Sequence, residues 1–355
     1  NADGSYTDYQ TTYDAGGGYQ QTWQASSGAS GVNDKSDDGS TLTETTNADG
    51  SSTTNAYNAS TGVYGYDVVN ADGSYTDYQT TYDAGGGYQQ GWVSSDGTAG
   101  SRSVDASGVQ IGDSWLDAAG VQGIDAGGNQ LLLGGAGADT LSGSAGNDLL
   151  VGGAGNDTVT SGSGDNVIGY DVGDGQDVVD GAAGQQNAIS LGGNFAYSDL
   201  QFQRSGNDLV LDVGAGGSLD FQNWYAPGGT QNVVTLQVIA SAMSDYAPGS
   251  ANVLSNASVE TFDFQALVSE FDQAMAANPG LNAWNLSSAM LDAHLSGSDT
   301  AALGGELAYD YGMLGHLSGF GVAAAQSTIA GSQFAAAPQG ITPSGASGVE
   351  VARLK

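Results

Sequence analysis

Residues 134–160 hold the side chains with the clearest chemical potential. Asp139, Asp148 and Asp157 recur at nine-residue intervals. Each follows a glycine-rich turn: Gly134, Gly135 and Gly137; Gly143 and Gly146, with Ser144 replacing one glycine; Gly152, Gly153 and Gly155. Two residues beyond each Asp stands an aliphatic side chain, Leu141, Leu150 or Val159. Carboxylates and main-chain carbonyls at close spacing are hard oxygen donors, the donor set of calcium. That ion takes six to eight oxygens at about 2.3–2.6 Å, more than one turn supplies. The glycine-rich half is expected to need positive φ. The Asp-x-aliphatic-x half reads as a strand of about three residues with the aliphatic member inward.

This nonapeptide resembles that of the RTX (haemolysin-type calcium-binding) family, whose repeats form a parallel β-roll. The resemblance implies that two units complete one coil, so that units 18 residues apart stack. It also implies three calcium sites. The first lies between Gly135, Gly137 and Asp139 and the turn Gly152, Ala154 and Asp157. The second joins Ser144, Gly146 and Asp148 to Ser161, Ser163 and Asn166. The third joins Gly153, Gly155 and Asp157 to Val172, Asp174 and Asp177. In this scheme glycines and alanines offer carbonyls and aspartates offer carboxylates. The pattern departs at Asn166, at Gln130 in a degenerate unit over 125–133, and between Asp157 and Asp177, which are 20 residues apart. Residues 171–179 look like the degenerate last turn of such rolls. Alternating Leu200 and Phe202, then Leu209, Leu211 and Val213, then Leu219 and Phe221, predict hairpins that cap its open edges and apolar core.

Composition limits the partners. The 355 residues carry a formal net charge of −34 with only five Lys and Arg, which excludes nucleic acid and anionic membrane surfaces. Such self-repulsion opposes compaction and is relieved by divalent cations. There is no cysteine, so calcium rather than disulfides is the expected cross-link of a secreted chain. No apolar run is long enough for a membrane span, and no N-terminal signal is visible. The opening Asn1-Ala2-Asp3-Gly4-Ser5 recurs at 47 and 70, so the chain is expected to start inside a repeat, with more repeats upstream.

Residues 1–124 are read as a Tyr-, Gly- and Asp-rich β-repeat array. Asn1 to Trp23 recurs at Asn70 to Trp92 with one change, Thr22 to Gly91. Turn signals fall about every 11–12 residues, from Asp3-Gly4 to Ala119-Gly120, with period-two alternation between them. The core is expected to be thin and aromatic. Tyr-Asp-Ala-Gly at 13–16 and 82–85 makes the region similar to the tyrosine-aspartate repeats of bacterial surface proteins. Asp34, Ser36, Asp38 and Gly39 match part of an EF-hand loop, but position 12 is Thr45, and an ordinary turn is the expected reading.

Residues 125–250 are assigned to the β-roll and hairpin cap, and 251–355 to a helical tail. Phe264, Leu267, Val268, Phe271 and Met275 form one helical stripe, ended by Asn278-Pro279-Gly280. Further helices are expected around Leu286–Leu295, Asp299–Tyr311 and Ala323–Ala330, with 337–355 loose. The run from Leu295 to Gly305 with Leu307-Ala308-Tyr309 resembles the C-terminal segment of type I secreted haemolysin-type proteins, whose uncleaved signal is C-terminal. No Gly-x-Ser-x-Gly or His-Glu-x-x-His occurs, and the two histidines, His294 and His316, fall in the tail. The expected fold is mainly β: a β-repeat array, a calcium-binding parallel β-roll with hairpin cap, and a small helical region. The expected protein is non-catalytic, secreted to the extracellular space or cell surface, and partnered by calcium, the type I secretion machinery and copies of itself. The alternative is the carrier portion of a larger secreted toxin, enzyme or adhesin.

Overall fold

The computed structural model describes residues 4–104, 106–107, 110–116, 120–181, 185–229, 231–317, 320 and 322–341. The chain divides into two units, Asn1–Ala118 and Ala119–Lys355.

In the first unit, Gly-containing turns at near-regular spacing return the chain on itself. The strands are β1 (Thr7–Tyr13), β2 (Tyr19–Ala25), β3 (Ser30–Lys35), β4 (Thr41–Thr46), β5 (Ser52–Asn58), β6 (Val63–Val69), β7 (Tyr75–Tyr82), β8 (Tyr88–Ser94), β9 (Ala99–Val104) and β10 (Gln110–Leu116). Each pairs antiparallel with the next, as a meander. The turn at 47–51 shows why. Gly50 donates to the Asn47 carbonyl and Asn47 donates to that of Ser51. Gly50 has φ 88°, the left-handed step that closes a three-residue hairpin loop. The Asp49 carboxylate accepts from the Ser51 hydroxyl and amide, which lowers its pKa.

Cross-strand register sorts the side chains by face. Tyr9 opposite Trp23, Tyr13 opposite Tyr19, Tyr57 opposite Tyr64 and Tyr66 opposite Tyr78 all fall on one face. Asp8, Asp34, Glu44, Asp67 and Asp77 fall on the other. Among the described residues of this unit only Gly18, Gly31, Thr80, Gly87 and Val104 are buried, so the sheet is a single layer. The thin aromatic core expected from the sequence takes the form of a one-sided stripe of ring contacts. Trp23 and Trp92 lie across the glycines opposite them: a Cβ on Gly31 would meet the Trp23 indole nitrogen at 2.6 Å, and one on Gly100 would meet the Trp92 ring at 2.2 Å.

The second unit opens with β11 (Gln122–Ala126), antiparallel to β12 (Asn129–Ala136). The chain then coils through β13 (Thr140–Ser142), β14 (Leu149–Ala154), β15 (Thr158–Thr160), β16 (Val167–Asp171), β17 (Gln176–Asp180) and β18 (Asn187–Gly192). It continues through β19 (Gln201–Ser205), β20 (Asp208–Gly214), β21 (Gly217–Phe221) and β22 (Val233–Val238). Two parallel sheets result. One is β12-β14-β16-β18-β22 and the other β13-β15-β17-β21. Leu131 stacks on Leu149 and Leu149 on Val167, the expected 18-residue step. The 20-residue step is absorbed without a slip, since Val159 still pairs with Val179.

The tail follows as β23 (Val259–Asp263), α1 (Phe264–Ala277), β24 (Ala283–Asn285), α2 (Met290–Ala293), β25 (His294–Ser298), α3 (Gly305–Leu314) and α4 (Val322–Ile329). β23 and β25 extend the first sheet antiparallel from β22, and β20, β19 and β24 extend the second from β21. Phe264 of α1 sits 5.4 Å from Phe202, 5.3 Å from Phe221 and 5.6 Å from Trp224, ring centre to ring centre. This aromatic plug closes the roll's end, with the predicted cap residues Leu209, Leu211 and Leu219 fully buried.

The two sheets of the roll differ. In β13 and β15 only Leu141 and Val159 are buried, and their Thr and Ser neighbours face out. In β12 and β14 every Leu and Val is buried. Leu131, Leu133, Leu149, Val151 and Val167 pack against Leu307, Tyr311, Ala325 and Ile329 of α3 and α4. The alternate residues Leu132, Leu150 and Ile168 point the other way, toward the second sheet. Two helices therefore cover one side of the roll.

Two readings of the tail need correction. The helix expected around 286–295 is reduced to a short turn and the four residues of α2, because His294–Ser298 pairs with β23 and Leu295 is 59% exposed. The helix expected from Asp299 starts only at Gly305, since Gly304 has φ 74° and Ala301–Ala302 is extended. Most of 337–355 lies outside the described residues. Close approach of α3 to the roll depends on glycine at Gly192, where a Cβ would lie 2.1 Å from the Gly312 Cα. Gly192→Ala is expected to cost about 1–3 kcal/mol through overpacking, read by urea denaturation in calcium. Gly340→Ala, with open space around it, is expected to change stability by less than about 0.5 kcal/mol.

Candidate metal centre

The turns between strands stack into two edges. On the first edge, the Asp139 amide donates to Asp157 Oδ1 at 2.8 Å, and the Asp157 amide to Asp177 Oδ1 at 3.0 Å. On the second, the Gln130 amide donates to Asp148 Oδ1 at 2.7 Å, Asp148 to Asn166 at 2.8 Å and Asn166 to Asn187 at 3.1 Å. The residue at the sixth position of each unit thus accepts the amide of its counterpart one coil earlier. An asparagine ladder runs beside it: Asn129 Oδ1 accepts from Asn147, Asn147 from Asp165 and Asn156 from Gln176. Sequence reasoning missed this ladder, although Asn147 and Asn156 occupy the same fifth position of successive units.

These bonds engage Oδ1 of Asp148, Asp157 and Asp177, and Asp148 Oδ2 also accepts the Ser144 amide at 3.1 Å; the fit to calcium rests on Asp157. Asp157 Oδ2 is buried without a hydrogen-bond donor. A Cβ on Gly134 would lie 2.1 Å from the Gly152 carbonyl oxygen and 2.8 Å from Asp139 Oδ2. On Gly143 it would lie 2.4 Å from the Ser161 oxygen and 2.9 Å from Asp148 Oδ2, and on Gly152 2.3 Å from Asp157 Oδ2. Carboxylate and neighbouring-coil carbonyl therefore flank the same small space. Among the described residues no three carboxylate or imidazole side chains converge, so most donors are main-chain oxygens. That set suits a hard, oxygen-seeking ion such as calcium.

The glycines act in two ways, not the one expected. Gly134, Gly135, Gly143 and Gly152 have no positive φ, and the first, third and fourth are needed for space. Gly137, Gly146 and Gly155 have φ of 129°, 118° and 155°. Ser144 is tolerated because its backbone, like that of Gly135, avoids the left-handed region. In the stacked turns Gly137 donates to the Ala154 carbonyl, Ser163 to that of Ser144 and Gly155 to that of Asp174. The Gly135 oxygen lies against Gly153 and that of Gly146 against Gly164.

The third expected site is only partly assembled. Asp157 and Asp177 come together, but the Asp174 carboxylate turns away. Its Oδ2 accepts from the Tyr311 hydroxyl of α3 at 2.8 Å and from the Asp171 amide at 2.6 Å. The Val172 amide donates to Gly192. Asp38 of the EF-hand-like stretch holds the Ser40 amide and hydroxyl, an ordinary turn. His294 Nε2 lies 2.8 Å from Oε2 of fully buried Glu260.

Burial dominates the electrostatics of the roll. It pushes Asp148 up to about 6, and Asp174 and Asp177 up to about 7. Asp157 is raised by burial, with Asp139 adding repulsion. Among the described residues of this unit the one Lys or Arg is Arg204, which sits over the Tyr225 ring at 4.3 Å. Side-chain cations therefore do not offset the ladder.

With calcium removed by a chelator, the sign of the pH dependence follows. The folded carboxyls hold protons that the unfolded ones, near 3.8, release. Their contribution is fully present below about pH 4 and lost as pH rises through 6 to 7. The urea midpoint in chelator is expected to rise as pH falls from about 8 to 5, and this rise is expected to vanish in millimolar calcium. A chelator midpoint indifferent to pH would contradict it.

Residues 133–168 match the family model of the RTX calcium-binding nonapeptide repeat, in four copies. No curated protein matches the chain. Among solved structures, the extracellular lipase LipA from Serratia marcescens is similar at 18% identity and a TM-score of 0.20, over 41% of this chain. The chain spans 28% of that structure's length. The stacked turns of residues 133–168, which match the RTX calcium-binding nonapeptide repeat, coil here as a parallel β-roll.

Proposed function

We propose that the chain is a non-catalytic, calcium-binding structural protein that folds on calcium binding after type I secretion. It then assembles or adheres at the cell surface, in a matrix, surface layer or filament. The observation that carries this reading is the buried aspartate ladder in a unit with almost no side-chain cation. Such a unit is stable where calcium is plentiful and weak where it is scarce. Extracellular calcium modules bind at about 10⁻⁴–10⁻³ M, and an ion that binds only the folded state shifts folding by mass action. The open, one-sided aromatic sheet of the first unit supports the assembling role, since exposed apolar patches mark interaction surfaces.

The ligands are assigned as two full sites and one reduced site. The first ion is held by Gly135, Gly137, Asp139, Gly152, Ala154 and Asp157, and the second by Ser144, Gly146, Asp148, Ser161, Ser163 and Asn166. The reduced site uses Gly153, Gly155, Asp157 and Asp177, with Asp174 left to Tyr311. Asp157 serves two levels, so Asp157→Asn is expected to weaken calcium binding about 10–100-fold by calorimetry. Asp180→Asn, on an exposed position of β17, is expected to leave it unchanged.

Sedimentation velocity in millimolar calcium and in chelator tests the whole reading. Large calcium-dependent species are the expected result. A compact monomer in calcium that expands in chelator favours the carrier portion of a larger secreted protein. An unchanged sedimentation profile contradicts calcium-driven folding.

A further inference from the structure

One rung of the roll's second edge is built from neutral side chains. The third expected ion draws on the second, fourth and sixth positions of its lower unit, Gly153, Gly155 and Asp157. In the next unit those positions are Gly162, Gly164 and Asn166. By the same pattern the Gly162 and Gly164 carbonyls would face an ion. Both accept hydrogen bonds instead. Gln185 Nε2 donates to the Gly162 carbonyl, and Asn166 Nδ2 donates to that of Gly164 at 3.3 Å.

The rest of the rung closes around these two amides. Asn166 Nδ2 also donates to Asn187 Oδ1 at 3.0 Å. Asn187 Nδ2 donates to Ser161 Oγ at 3.1 Å and to Gln185 Oε1 at 3.3 Å, and Ser161 Oγ donates to Gln185 Oε1 at 3.0 Å. Gln185 is therefore oriented at both ends. A carbonyl can only accept, so the nitrogen faces Gly162, while the side-chain oxygen takes two donors. Ser161, Asn166 and Asn187 are buried. Buried Asn232 adds a wall whose Nδ2 has no acceptor. A Cβ on Gly181 would collide with that nitrogen and lie 3.2 Å from Ser161 Oγ. Among the described residues no carboxylate enters these bonds.

We infer that this rung is a metal-free substitute for a calcium rung, in which the Gln185 and Asn166 amides take the place of the ion. Calcium needs converging oxygens with lone pairs to spare. Here the Gly162 and Gly164 oxygens already hold N–H donors, and the Asn232 nitrogen beside Ser161 opposes a positive charge. The sixth position decides between the two designs. Asp157 and Asp177 bring buried carboxylates that a cation offsets, whereas Asn166 and Asn187 bring no charge and carry their own donors. A buried carbonyl must find a donor or a cation, and amides suffice where no carboxylate has to be neutralised. The second edge then holds one ion, at Asp148, and its next rung stands without calcium. This rests on the calcium reading of the other rungs and deepens it by naming the level at which the metal stops.

Two substitutions in the full chain test it, Gln185→Ala and Gln185→Lys, with circular dichroism in calcium as the check on folding. Calorimetry counts the calcium ions per chain, and urea denaturation in millimolar calcium reads stability. Gln185→Ala is expected to keep the ion count of the unchanged chain and to lower the urea midpoint by about 0.2–0.5 M, the loss of hydrogen bonds alone. Gln185→Lys restores an N–H donor and adds a positive charge. It is expected to keep the same ion count and to recover at least half of the midpoint lost with alanine. An ion in this rung would be expelled by that ammonium group, so one ion fewer in either variant would overturn the inference. An alanine midpoint equal to that of the unchanged chain would overturn it as well. A chain that binds no calcium with either residue contradicts the calcium reading of the roll instead, while a midpoint that falls with alanine and recovers with lysine still supports the amide rung.

Discussion

The aspartate ladder sets the terms for the rest of the roll. The side chains of Asp148, Asp157, Asn166 and Asp177 each accept the amide of the coil before, so their orientation is fixed by the backbone. Stacking the coils then stacks the carboxylates, in surroundings that disfavour their ionised form. Hydrogen bonding asks for close stacking and charge asks for separation. A divalent cation at the stacked turns satisfies both. The two edges meet the conflict differently. On the edge of Asp139, Asp157 and Asp177 every rung is acidic. On the edge of Asp148, Asn166 and Asn187 two of three rungs are neutral, and the amides keep the hydrogen-bond ladder without the charge.

The same stacking explains why the two sheets need different surroundings. Short strands of three residues, such as β13 and β15, contribute one buried side chain each and leave hydroxyls outside. That is too little to hold a roll. The longer strands of the other sheet bury aliphatics on both faces and recruit α3 and α4 to cover the outer one. Continuous apolar runs are the mark of such a doubly covered parallel sheet. The roll is therefore pinned from outside by helices and from the end by the Phe264 plug, while the charged edges stay open to ions.

The sequence makes some of this legible and hides the rest for identifiable reasons. The nine-residue period, the stacking distance and the cap strands depend on local pattern, and they stand in the structure as read. The difference between the sheets was present as Leu131-Leu132-Leu133 against Thr140-Leu141-Ser142, but treating every unit alike concealed it. Pairings across long separations were not legible. β25 is a strand because Val259–Asp263 offers it an edge and buried Glu260 holds His294, whereas its own sequence continues a helical stripe. Asp174 leaves the third site because Tyr311, 137 residues later, captures its carboxylate. The space-making glycines look identical in sequence to the left-handed ones, and only coil-to-coil contact separates their roles.

The first unit obeys a different rule, since it has no second layer to bury anything against. A single sheet gains its stability from cross-strand pairs and from contacts along its own surface. Trp23 over Gly31 and Trp92 over Gly100 show the device: an indole covers the backbone of a residue that has no side chain, at a spacing the long repeat reproduces. Because each strand depends mainly on its two neighbours, stability in such an array is close to a sum of nearest-neighbour terms. A strand with two neighbours collects two such terms. The identical sequences of β1 and residues 76–82 of β7 make the second term visible without any mutation: the same residues are covered where a neighbour of the β6 type is present and bare where it is absent. Sequence repetition thus carries its own control on what a neighbouring strand covers.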